Sequence, residues 1–90
     1  MNKQALEEIK KEWEELGYKW SSDVDEEIFL KMPIKYTTKY VIITISSVRK
    51  AYWKRVNDNL ENLNYLPFLF KEHQLLTKTF KALGWYEDDN

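Results

Sequence analysis

The chain is 90 residues long, carries 14 Lys and Arg against 15 Asp and Glu for a formal net charge of −1, and contains no Cys. That length is one domain's worth, residues 1–90, and at this size folding buries only about 60 to 65 per cent of the surface that the unfolded chain exposes. Without Cys there is no disulfide, thiolate metal site or Cys nucleophile, and a content of 43% hydrophobic and 16% aromatic residues argues against a disordered or low-complexity chain.

After Met1, Asn2 and Lys3 the sequence enters a Glu-rich amphipathic stretch with no apolar signal core, and no run of membrane length follows, so a soluble cytoplasmic protein is expected. Leu6, Ile9, Trp13 and Leu16 recur at spacings of three and four, with Glu and Lys on the other faces, which predicts an amphipathic helix. Asn2 is placed to cap it and Glu7 to pair with Lys11. Gly17 supplies the left-handed residue that stops it. Trp13 and Tyr18 are then the two side chains that touch across a Schellman ending.

Residues 21–27 read as a polar turn. Ile28, Leu30 and Met32 then alternate with Phe29 and Lys31 until Pro33, as in a strand that a short edge strand at residues 18–20 can join. A second turn at residues 36–39 leads into Tyr40 to Ile45, the strongest β-branched run and the expected central strand. After a turn at residues 46–49 the chain returns with Ala51, Trp53 and Arg55 on one face and Lys50, Tyr52, Lys54 and Val56 on the other. Trp53 is expected in the core. Residues 57–65 are rich in Asn and without period, a loop. From about Phe70 the helical period resumes, with Leu76, Phe80 and Leu83 on one stripe and Leu75 and Ala82 beside it. Gly84 closes this helix as Gly17 closes the first, pairing Phe80 with Trp85. The fold class is α+β: an N-terminal helix, an antiparallel sheet of three to four strands and a C-terminal helix, with both helices on one side in two layers.

Charge is unevenly spread. Residues 1–30 carry 4 Lys and Arg against 9 Asp and Glu, residues 31–58 carry 7 against 1, and the remainder 3 against 5. In the basic part Lys31, Lys35, Lys39, Arg49, Lys50, Lys54 and Arg55 interleave with Tyr36, Tyr40, Tyr52 and Trp53. Single-stranded nucleic acid binds such mixtures through phosphate contacts and base stacking. The competing account is an ordinary sheet with one solvated face.

Other chemistries find no support. Asp23, Asp25, Glu26 and Glu27 alternate like hard oxygen ligands, but an EF-hand loop begun at Asp23 puts Ile28 at the glycine position and Ile34 at the bidentate glutamate position. No metal is expected. His73, the only histidine, falls on or beside the apolar stripe of the last helix and is expected to be a partly buried, hydrogen-bonded structural residue. Both glycines are spent on helix stops, leaving none to cradle a phosphate, and no nucleophile motif is present. Neither an enzyme nor a cofactor is expected.

The stretch Glu72, His73, Gln74, Leu75 and Leu76, followed by Phe80, Leu83, Gly84 and Trp85, resembles the ends of small proteins from phages and prophages of Gram-positive bacteria. The resemblance implies a non-enzymatic protein of the bacterial host cytoplasm that binds and blocks a host machine, such as a CRISPR or restriction nuclease. It brings no catalytic residues. Acidic groups suit such a contact, because either Asp23, Asp25, Glu26 and Glu27 or the end at Glu87, Asp88 and Asp89 can occupy a basic nucleic-acid groove. Two partner classes therefore stand: a host protein or protein–nucleic acid complex met by acidic surface, and nucleic acid met by the basic strands. Trp20, Tyr36, Tyr40 and Tyr52, if exposed, leave monomer and homodimer both open.

Overall fold

A computed structural model describes residues 3–24, 27–57 and 65–85. The elements follow in the order α1 (Lys3–Glu15), β1 (Lys19–Val24), β2 (Glu27–Pro33), β3 (Tyr40–Ser46), β4 (Ala51–Asn57) and α2 (Phe70–Leu83). The four strands form an antiparallel meander in the order β1-β2-β3-β4, because each connection is short enough for a hairpin. No helix among the described residues is long and apolar enough to cross a membrane.

Both helices lie on one face of the sheet. Leu6, Ile9 and Trp13 of α1 and Leu75, Leu76 and Phe80 of α2 are buried, and the last five pack with Ile28, Leu30, Val41, Ile43 and Ile45 of the sheet. The predicted helix stops are formed as expected. At Gly17 (φ +100°) the Tyr18 N–H donates to the Trp13 carbonyl at 3.0 Å and the Gly17 N–H to the Glu14 carbonyl at 2.9 Å. The Trp13 and Tyr18 rings meet edge-on at 5.5 Å. At Gly84 (φ +76°) the Trp85 N–H donates to the Phe80 carbonyl at 3.0 Å and the Gly84 N–H to the Lys81 carbonyl at 3.1 Å, with the two rings 6.1 Å apart. These are the paired bonds of a Schellman ending. Asn2 lies outside the described residues. Glu7 meets Lys10 at 3.7 Å, a spacing of three, in place of the expected Lys11.

Residues 21–24 are strand, so the expected turn at 21–27 shrinks to the connection between Val24 and Glu27, which are themselves paired. β1 is an edge strand of the sheet, where polar residues such as Ser21, Ser22 and Asp23 discourage further strand pairing. Trp53 is not in the core. It pairs directly with Thr44 on the face away from the helices, whereas Tyr52, Lys54 and Val56 pair with the core residues Ile45, Ile43 and Val41. Beyond β4, residues 58–64 of the expected loop lie outside the described residues. Tyr65 bridges Arg55, and the Leu66 N–H donates to the Lys54 carbonyl at 2.7 Å, so the outer edge of β4 is partly covered.

Candidate nucleic-acid interface

The register sorts the basic residues into two groups with opposite fates. On the helix side Lys54 is only 8% exposed, and its ammonium donates to Glu72 Oε1 at 2.8 Å and to the Pro67 carbonyl at 3.2 Å. Glu72, 2% exposed, also accepts from the Leu69 N–H at 2.9 Å and from the Tyr18 hydroxyl at 2.8 Å. Burial pulls the Glu72 carboxyl upward, but the bonds from Lys54, Leu69 and Tyr18 outweigh it and hold the group below its ordinary range. The Tyr18 phenol moves the other way, raised by burial and by the carboxylate it faces. Lys54 is therefore a structural cation, and its place among the nucleic-acid candidates is withdrawn. Tyr52 is withdrawn with it, because its ring packs at 5.1 Å from Phe68 and 5.8 Å from Phe80.

On the open side the cross-strand partners line up in rows. Lys19, Lys31, Ile42 and Arg55 form one row across all four strands. Ser21, Phe29, Thr44 and Trp53 form the next, and Pro33, Tyr40 and Asn57 flank the cationic row on its other side. Adjacent rows on one face are about 6.8 Å apart and the four strands span about 14 Å. Ile42 is 6% and Thr44 2% exposed although no helix covers them, since each is flanked in register by longer side chains. These rows are thus rings and cations over a closed floor, and the next row on the same face holds Glu27 opposite Ser46. Arg49 lies over the Trp53 ring at 5.6 Å and Lys31 over the Tyr40 ring at 5.4 Å. Among the described residues Lys19, Lys31, Arg49 and Arg55 make no ion pair.

The remaining candidates scatter. Lys35 and Lys39 are exposed in the β2–β3 connection, and Lys50 is exposed in the β3–β4 turn at φ +51°. Glu27 is half-buried in β2 opposite Ser46, and Asp23 is in β1. Asp25, Glu26, Glu87, Asp88 and Asp89 lie outside the described residues. His73 is exposed, against expectation, with its ring 5.4 Å from Phe68 and 6.3 Å from Tyr52. It sits one residue past the buried Glu72, which turns it off the stripe. Of the aromatic residues expected at the surface, Trp20 is half-buried beneath the Lys10 ammonium at 5.3 Å and Tyr40 is half-buried, whereas Tyr36 is fully exposed. Among the described residues no three acidic or His side chains come together.

Sequence reasoning missed Lys19 and Phe29 on the open face and Glu72 and Tyr18 in the interior network. Lys19 lies in the expected edge strand at residues 18–20, but its place opposite Lys31 depends on a pairing register that is not local information. Glu72 did carry a signal: with Thr79 it completes the spacing of Leu75, Leu76, Phe80 and Leu83 along one helix face. Compared with family models, with curated proteins and with solved structures, the chain matches none.

Proposed function

We propose that the open sheet face binds single-stranded nucleic acid, its cationic row meeting the phosphates and its flanking rings stacking against bases. One observation carries this reading: Lys19 stands directly opposite Lys31, with Arg55 beyond Ile42 in the same row. Like charges directly opposite on one sheet face destabilise the pairing, so the arrangement works against folding and is relieved by a bound polyanion. Phe29 and Trp53 on one side and Tyr40 on the other supply stacking platforms, and stacking tolerates any base because every base has a π-face.

The test is the fluorescence anisotropy of a labelled single-stranded oligonucleotide titrated with the protein at rising salt. Binding at micromolar concentration or tighter is expected at low salt. Three phosphate contacts give a log–log salt slope of about −2, from roughly −0.7 per contact. Lys31→Glu with Arg55→Glu removes the binding. No binding by the parent chain at low salt overturns the proposal. A host protein captured from lysate after nuclease treatment, and lost on charge reversal at Asp23 and Glu27, would favour the inhibitor reading in its place. Lys54 is unsuitable for either test, because its variants report on folding.

A further inference from the structure

The connection between β2 and β3 displays Tyr36, 101% exposed, with a φ of +64°. The Thr37 N–H donates to the Ile34 carbonyl at 3.2 Å, so Lys35 and Tyr36 are the central residues of a β-turn and Tyr36 holds its third position. A positive φ there ordinarily calls for Gly or Asn, and a bulky side chain in that conformation is strained. The turn is nonetheless firmly specified. The Ile34 N–H donates to the Lys39 carbonyl at 3.0 Å, the Thr37 hydroxyl to the Ile34 carbonyl at 2.9 Å, and the Lys39 N–H to Thr37 Oγ1 at 3.0 Å.

A fully exposed ring packs against nothing in the chain, so no burial offsets the strain of its backbone. Strained backbone that its surroundings hold in place clusters at ligand clamps and other functional sites. The chemistry around the ring says which kind. Lys35 and Lys39, both exposed, flank Tyr36 at the turn. The pair Pro33 and Tyr40 then joins the turn to the open face, next to the row that holds Lys31 and Arg55.

We infer that the β2–β3 turn is a stacking finger, in which Tyr36 lies against a base of the strand whose phosphates follow Lys35, Lys39 and the cationic row. The inference rests on the open-face reading and adds to it the residue that holds the end of the bound strand. Such stacking is sequence-tolerant and depends on the ring, not on its hydroxyl.

Two variants and the parent chain decide it, by anisotropy with a labelled oligo-dT and by thermal melting. Tyr36→Gly is expected to melt no lower than the parent, because Gly adopts the positive φ without penalty. Its affinity is expected to fall about ten-fold or more, the scale of one lost base stack, with the salt slope unchanged. Tyr36→Phe keeps the ring and binds as the parent does. If the parent binds and Tyr36→Gly binds equally well, the finger is wrong while the open-face reading stands. If the parent does not bind at low salt, the open-face reading falls and the finger with it. A Tyr36→Gly chain that melts well below the parent also overturns the finger, since the ring would then serve the fold.

Discussion

Glu72 concentrates more of the interior electrostatics than any other described residue, because one carboxylate serves a lysine, a tyrosine and the first turn of α2. Leu69 precedes that helix and has no acceptor with which to cap it, so Glu72 at the third helical position takes the orphan N–H instead. Replacing Glu72 by Gln leaves the Lys54 ammonium buried without its counter-charge and is expected to cost about 3 to 5 kcal/mol in urea unfolding. The pH dependence follows from the two shifts. Glu72 is held low in the folded chain, so its contribution is complete above the unfolded value of about 4.3 and is lost as pH falls through the lower folded value. Tyr18 is held high, so its contribution is complete below about 10 and declines by roughly 1.4 kcal/mol per pH unit as pH rises beyond that. Stability curves against pH check both: Tyr18→Phe should remove this alkaline decline. A parent chain as stable at pH 11 as at pH 9 would contradict the assignment. None of this network was read from the sequence, since a Glu beside a Lys and a His on a helix resembles solvated surface until its place on the stripe is counted.

At the scale of elements, what was legible was what is local. Each helix has a period of its own and a Gly at its end, and both determine the stop without reference to the rest of the chain. Alanine at either Gly meets the left-handed backbone, at about 1 to 2 kcal/mol. Gly84 has open space around it, whereas a Cβ on Gly17 would stand 3.2 Å from Met32 Sδ. Gly17→Ala is therefore expected to lower the melting temperature more than Gly84→Ala; equal losses would mean that Met32 yields freely. The strands were legible as strands but not as faces. Alternation in β4 divides Trp53 from Lys54 without saying which is inside, and hydrophobicity favours the wrong one. Only the pairing of Lys54 with the buried Ile43 decides it, and pairing partners are not local information. The extent of β1 was hidden for a related reason, because Ser21, Ser22 and Asp23 are polar in succession and are distinguished from a turn only by the pairing with β2.

For the whole molecule, the layers divide the work: the helix side holds the core with the buried Lys54–Glu72 pair, and the open side holds the row of Lys19, Lys31 and Arg55. If the open row is kept for binding, then stability and binding are opposed there. Lys19→Glu converts a repulsive cross-strand pair into an attractive one and is expected to raise the melting temperature by a few degrees, from about 0.2 to 1 kcal/mol per pair. The same variant should weaken oligonucleotide binding, and a variant that gains stability with binding intact would show that the row has no role. On the other side, side-chain hydrogen bonds span long sequence separations: the Trp13 indole donates to Thr79 Oγ1 at 3.1 Å and the Tyr18 hydroxyl to Glu72 at 2.8 Å. Lys54 gives that geometry a consequence in time. A chain growing from its N-terminus completes the meander at β4 with an ammonium on the side that is to become the interior, and the matching carboxylate is made 18 residues later. The sheet must then wait for α2, and a fragment ending at Pro67 is expected to give the circular dichroism of an unfolded chain although it contains every strand.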